Sequence, residues 1–326
     1  MQINLSFDYE LFFGSESGTA ENCLLKPTAQ LMSLAKKHQI QMIFFVDAGY
    51  LVQLKAAANH IQCADDFQKV SEQLKQLVND GHEVALHVHP HWEDSKFENG
   101  KWMIDSSRYK LADFSEKEAS DIISKYHQVL IDITGKRCTS YRAGGWCIQP
   151  FSHFKRALQS NGIFTDSSVY YKGYHASGAH AYDFSLASDK PEWQFENDCC
   201  IEEKNGSFKE VSITSDKINP FFYWKLYLKM RAKPSIYKPM GDGSWLKDKK
   251  RIYKQFYSST NHFACADGYF ASRLMAILNG HQHLNKTRMM VLSHPKSLAA
   301  CSFGYLDMFM AYAKSKNYQF KTLRNE

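Results

Sequence analysis

Long apolar runs are missing from this chain: no stretch is long enough to span a bilayer. The first residues, Met1-Gln2-Ile3-Asn4-Leu5-Ser6-Phe7-Asp8, carry no basic region followed by an apolar core. They read as a strand, not as a secretory leader. The eight cysteines form no C-x-x-C unit. Without a leader they are expected to be reduced thiols of a cytoplasmic protein. Proline is scarce, at 8 residues in 326, and there is no repeat and no low-complexity tract. Those absences exclude a solenoid, a collagen-like fibre and a linker-rich assembly. An apolar fraction of 44% with 14% aromatics is that of a folded, enzyme-sized protein.

Charge is unevenly placed. The net charge is +6, yet residues 219–258 hold ten Lys/Arg against Asp242 and Asp248, a local net of +8. The rest of the chain is therefore slightly acidic. Nucleic acid is a poor partner, because no stacking-plus-basic fold signature accompanies the charge. Two readings of the aromatic-basic run Phe221-Phe222-Tyr223-Trp224-Lys225-Leu226-Tyr227-Leu228-Lys229 remain. It is an insertion helix that covers the domain with solvated lysines, or a helix that lies on an anionic membrane surface.

Histidine is concentrated instead. Four of the fourteen lie in Gly81-His82-Glu83-Val84-Ala85-Leu86-His87-Val88-His89-Pro90-His91-Trp92. The approach is apolar and strand-like, and Pro90 ends it because it has no N–H to donate. The histidines thus sit where a buried strand runs into a loop, the usual place for chemistry in α/β folds. His87 and His91 are four apart and can reach one metal ion. His89 shares the His87 face by strand alternation, but Pro90 disturbs that alternation, so it reads as a supporting residue.

Strand and helix alternate through residues 1–166. Ile3, Leu5 and Phe7 mark one face of the opening strand, and Asp8 and Glu10 lie together on the other. Helices are expected from Pro27 to His38, over 65–79 and from Ser115 to Gly135. Apolar strands are expected at 42–46, 84–88, 139–141 and 163–166. Such alternation gives parallel strands with helices packed outside. Polar groups recur just after the strands: Asp8, Glu10, Asp47, His87, Arg142 and Asp166. A helix is expected over 264–278, and Met289-Met290-Val291-Leu292-Ser293-His294-Pro295 again runs from an apolar strand to histidine and proline. Residues 170–260 break the rhythm, with a hairpin signal around Lys204-Asn205-Gly206.

Phe7-Asp8-Tyr9-Glu10, Phe44-Phe45-Val46, Gly81-His82-Glu83-Val84 with His87-x-x-x-His91-Trp92, the Arg142 turn, Asp166-Ser167-Ser168 and Leu292-Ser293-His294-Pro295 occur in the order of the polysaccharide deacetylase superfamily. The chain resembles its NodB-homology, carbohydrate esterase family 4-like members, as an Asp-x-Glu variant. The resemblance implies a distorted (β/α)7 barrel, one domain over 1–326 with an inserted hairpin and helical segment at about 170–260. It implies a hydrolase that removes an N-acetyl or related acyl group from an amino sugar or glycan precursor in surface polysaccharide (for example O-antigen) biosynthesis. It further implies one divalent metal, Zn with Co, Ni or Mn as alternatives, held by Glu10, His87 and His91. Asp8 is then the base, oriented by Arg142, and Asp166 tunes His294 as the acid; the roles of Asp8 and Glu10 are open to exchange. Trp92, Trp146 and Tyr141 are candidates for stacking on sugar or for plain packing. The protein is expected in the cytoplasm, free or peripheral to the inner face of the membrane. The competing expectation is a silent barrel that binds a glycan or a partner protein.

Overall fold

The computed structural model describes residues 1–177, 180–245 and 249–324. A nine-stranded sheet organises the chain. Its strands are β1 (Gln2–Tyr9), β2 (Ile43–Asp47), β3 (Glu83–Val88), β4 (Ser140–Ala143), β5 (Thr165–Asp166), β6 (Glu192–Phe195), β7 (Phe208–Val211), β8 (Arg288–Ser293) and β9 (Gln319–Phe320). The order is β6-β7-β5-β4-β3-β2-β1-β8, with β9 also paired to β1. All pairings are parallel except β6 with β7.

β1 is buried on both faces, its Asn4 and Ser6 as fully as its Ile3, Leu5 and Phe7. That is the pattern of a central parallel strand covered from both sides. Helices Lys26–His38, Ile61–Asn79 and Glu116–Thr134 supply one cover. The last begins with a capping box, in which Ser115 accepts from the Glu118 amide and Glu118 accepts from the Ser115 amide. It ends at Gly135 with φ +70°, the left-handed stop that glycine takes without strain.

The curled sheet is drawn toward closure by a few backbone bonds. Ile213 N–H donates to Val169 O, Thr214 N–H to Met290 O, and Ala264 N–H to Thr214 O, at 2.8, 3.0 and 2.7 Å. The result is the distorted α/β barrel expected from the sequence. The C-terminal ends of β1, β3, β4 and β8 lie together, so the loops beginning at Glu10, His89, Gly144 and His294 share one end of it.

Two segments differ from the expectation. The hairpin at 192–211 joins the main sheet: Lys209 pairs with Thr165 and Glu210 with Asp166, so β7 extends it. Residues 264–278 are not one helix. Residues 264–267 are extended against β8, a short turn spans Gly268–Arg273, and the helix is Leu274–His283. Gly268 at φ +51° separates the two parts. Outside the sheet lie three two-stranded pairs among the described residues (Lys96–Glu98 with Lys101–Met103, Tyr174–Ser177 with His180–Asp183, Ser215–Ile218 with Thr260–Phe263) and helices Pro220–Ala232, Pro234–Tyr237 and Lys249–Tyr257.

Candidate active site

The alternation of β1 and the turn after it bring Asp8 and Glu10 to the same end of the barrel, both buried. Two neighbouring buried carboxylates require positive partners. Each has its own. Arg142, at the end of β4, places Nη1 2.6 Å from Asp8 Oδ1. The rest of its guanidinium is spent on Ser167 O (2.6 Å), Ser6 Oγ (3.0 Å) and Ser167 Oγ (3.1 Å), and it lies over the Phe45 ring. A fork so occupied has one orientation, and Asp8 Oδ1 is fixed with it.

Glu10 is held differently. Lys296 Nζ lies 2.9 Å from Oε1, and also donates to Leu11 O at 2.5 Å. This lysine is buried beneath Phe12, Phe13 and Trp245, at 5.0, 4.8 and 5.3 Å from the ring centroids. Glu10 Oε2 faces two imidazoles: His87 Nε2 at 3.0 Å and His89 Nε2 at 2.6 Å. Burial disfavours the Glu10 anion, but Lys296, His89 and His87 outweigh it and hold the carboxyl well below the usual carboxylate range.

The pinning of His87 is informative. Its Nδ1–H donates to Arg142 O at 2.8 Å, so in the neutral ring Nε2 carries a lone pair. That lone pair points at Glu10 and toward Asp8 Oδ2, 3.8 Å away. Lone pair against carboxylate is repulsive unless a cation, a proton or a metal ion, sits between. Among the described residues, Glu10, His87 and His89 form a buried group whose ligating atoms all lie within 4.8 Å of one another. One carboxylate oxygen and two imidazole nitrogens are a donor set that suits a first-row divalent ion.

His91, expected as a ligand, is not in this group; His89 is. β3 keeps alternation of two through position 89, which points His87 and His89 to one side. Pro90 then starts a short 3-10 turn over Pro90–Glu93 and carries His91 away. The His91 ring is packed among Phe13, Trp92 and Tyr109, nearly parallel to the last at 5.7 Å. Both its ring nitrogens are buried and without a partner. Burial holds its pKa well below the ordinary value, so the ring is neutral. Gly144 secures His89 from the other side: a Cβ there would lie 2.6 Å from His89 Nδ1 and 2.5 Å from Val88 O.

His294, at the end of β8, turns Nε2 toward Glu10 Oε1 (3.7 Å) and Asp8 Oδ2 (3.9 Å). Its Nδ1 bonds Asp267 Oδ2 at 2.9 Å, while Asp267 Oδ1 accepts from the His294 amide and from Ser293 Oγ. Burial pulls the His294 pKa down; Asp267, Glu10 and Asp8 more than offset that and raise it. Asp166 was expected as this partner. It instead accepts from Ser168 and shares a hydrogen bond with Glu210, in the sheet interior. Asp267 escaped sequence reading because its segment was read as helix; the Asp-Gly pair at 267–268 marks a turn and was the available signal. Lys296 escaped as well, since nothing in a charge pattern marks a buried lysine.

Asp8, Glu10, His89, Asp267, His294 and Lys296 form the floor of a cavity of about 990 Å³, lined also by Tyr109, Trp146, Tyr223, Trp245 and Phe263. Of the three aromatics singled out for sugar stacking, only Trp146 lines it. Trp92 and Tyr141 are buried in the core, Trp92 with its indole N–H given to Asp47 Oδ2 at 2.6 Å.

Residues 5–149 match the family model for polysaccharide deacetylase. No curated protein matches the chain. A protein of Mycobacterium smegmatis assigned as a polysaccharide deacetylase is similar in structure. It shares 15% identity at a TM-score of 0.51, over 99% of this chain and 93% of that one. A family 4 acetyl xylan esterase from Clostridium thermocellum, solved with cobalt, shares 12% identity at a TM-score of 0.41 over 100% and 89%. A CE4 family pseudoenzyme from Bacillus anthracis shares 10% at 0.44 over 99% and 64%. At these identities the likeness is one of fold. The chain is similar to polysaccharide deacetylases over residues 5–149, and beyond that the likeness is in fold. That match points, in class, to a hydrolase of amide bonds.

Proposed function

We propose that the protein is a metal-dependent N-deacetylase of an amino sugar or glycan precursor used in surface polysaccharide synthesis on the cytoplasmic side. One observation carries this reading. An Arg-held carboxylate, a carboxylate–imidazole–imidazole donor set and an Asp-held histidine converge on one cavity floor. Glu10, His87 and His89 would hold the ion, for which the donor set favours Zn²⁺. When bound, it supplies a Lewis acid for the acyl carbonyl and acidifies a water.

The chain's own residues do the rest. Asp8 has one oxygen spent on Arg142 and the other, Oδ2, free toward the cavity, where it takes a proton from the attacking water. The water oxygen bonds to the acyl carbon, the carbon–nitrogen bond breaks, and the pair of electrons stays on nitrogen. His294, its Nδ1–H tied to Asp267, presents Nε2 to deliver the proton that the departing amine needs. Trp146 and Trp245 offer flat faces to a sugar ring from the cavity wall.

The test is acetate release from N-acetylated sugars and nucleotide sugars by protein loaded with Zn²⁺, beside metal analysis. Release that depends on metal and disappears in His87→Ala supports the reading; release undiminished in His87→Ala overturns it. One observation favours the second reading, a glycan-binding barrel without turnover. Lys296 already supplies Glu10 with a cation. Tight glycan binding with no acetate formed at saturating Zn²⁺ decides for that reading.

A further inference from the structure

Helix Pro220–Ala232 has two faces with opposite surroundings. At 100° per residue, Phe222, Tyr223 and Leu226 share one side. Phe222 stacks on Tyr269 at 5.4 Å, Tyr223 OH bonds Thr260 Oγ1 at 2.7 Å, and Tyr223 and Leu226 line the active-site cavity. Phe221, Trp224 and Leu228, spaced i, i+3 and i+7, form the opposite stripe; Phe221 is 75% exposed and Leu228 62%, while the half-exposed Trp224 also packs on Phe256 and donates its indole N–H to Phe256 O. Tyr253 and Tyr257 of the neighbouring helix add to it, at 65% and 79%. An amphipathic surface helix would put such residues inward. Here the inward side is already filled with other aromatics.

The charge beside this stripe has one sign. Among the described residues of 219–258 the cations include Lys225, Arg231, Lys233, Lys238 and Lys254, all on the surface. Lys247 and Asp248, part of the basic run read from the sequence, lie outside the described residues. The carboxylate that is described, Asp242, is turned inward: it accepts from Thr19 N, Thr19 Oγ1 and Asn22 Nδ2, each at 2.8 Å. No helix among the described residues is long and apolar enough to cross a membrane. Exposed Phe, Trp, Leu and Tyr ringed by Lys and Arg are the composition of a segment that lies in the headgroup region of an anionic bilayer.

We propose that helices Pro220–Ala232, Pro234–Tyr237 and Lys249–Tyr257 dock this protein on an anionic lipid surface. The occupant is a bilayer, not a partner protein, because the exposed aromatic and aliphatic side chains stand on surface helices whose described exposed charges are cations. Docking rests on this surface alone. Its consequence rests on the deacetylase reading: the same helix walls the cavity, so the site takes an amino sugar carried on a lipid.

The test is co-sedimentation of the full chain with vesicles of phosphatidylcholine, with or without phosphatidylglycerol. Wild type is expected to pellet with the phosphatidylglycerol vesicles and to be released as salt rises. Phe221→Ser with Leu228→Ser is expected to weaken that binding by about tenfold or more, with the melting temperature unchanged. Lys233→Glu with Lys238→Glu is expected to abolish the preference for the anionic lipid. His87→Ala is expected to bind vesicles like wild type, which separates failure of docking from failure of the hydrolase reading. Wild type left in the supernatant with anionic vesicles at low salt overturns the proposal. So does binding that neither pair of substitutions alters.

Discussion

Lys296 and Glu10 form a buried ion pair, Nζ to Oε1 2.9 Å, at the centre of the candidate site. Each is the other's principal compensation for burial. Lys296→Met keeps the length and removes the charge, leaving Glu10 Oε1 and the Leu11 carbonyl without their donor. A loss of about 3 kcal/mol of stability is expected, read by denaturant titration. Added Zn²⁺ is expected to raise the melting temperature of this variant more than that of wild type. A divalent ion then replaces the missing positive charge. A variant as stable as wild type, with no greater response to Zn²⁺, contradicts this account of Glu10.

The two histidines flanking Pro90 separate by role. His89→Ala removes a nitrogen 2.6 Å from Glu10 Oε2 and is expected to lower metal content and cut turnover by roughly a hundredfold. His91→Phe replaces a ring whose nitrogens have no partner, inside an aromatic box. It is expected to keep its metal and stay within a few-fold of wild-type activity. Metal analysis of the two purified variants distinguishes them, and the opposite pattern would restore the i, i+4 pair as the ligands.

Geometry pairs His294 with Asp267 and not with Asp166. Asp267→Asn leaves His294 with a weaker anchor at Nδ1 and is expected to lower kcat by roughly tenfold or more. Asp166→Asn is expected to leave kcat within a few-fold, because Asp166 bonds Ser168 and Glu210 instead. Steady-state acetate release by both variants checks this; equal losses would show that Asp267 has no special role.

Asp166 and Glu210 make a pH-dependent pair of their own. Burial first, then the Asp166 charge, raises the Glu210 carboxyl well above its ordinary 4.5. An acid whose folded pKa is raised binds its proton more tightly folded than unfolded. Its contribution is therefore complete below the ordinary value and declines as pH rises toward the folded one. Glu210→Gln keeps an acceptor for Val169 N–H and supplies a permanent donor to Asp166. Its melting temperature is expected to exceed that of wild type at alkaline pH by more than at pH 5. A difference that does not grow with pH would remove the shared proton from the explanation.

Much of the fold was legible because its strands are short apolar runs followed by polar residues. Period two in β1 correctly put Asp8 and Glu10 together. The same period in β3 places His89 beside His87, because Pro90 ends the ladder one residue beyond His89. Asp267 and Lys296 were illegible for another reason. Each follows a turn whose path is set by backbone bonds to distant strands, Leu292 to Ala264 among them, and no local pattern encodes those. β7 was missed as a sheet member because a parallel partner 44 residues away leaves no trace in the hairpin's own alternation.

Glu10 commits one carboxylate oxygen to an ammonium and leaves only the other for the imidazoles' corner. It can therefore grip an ion with a single atom. Large, oxygen-hungry cations such as Ca²⁺, which prize a chelating carboxylate, are disfavoured by that economy of donors, and small ions content with mixed nitrogen and oxygen neighbours are selected.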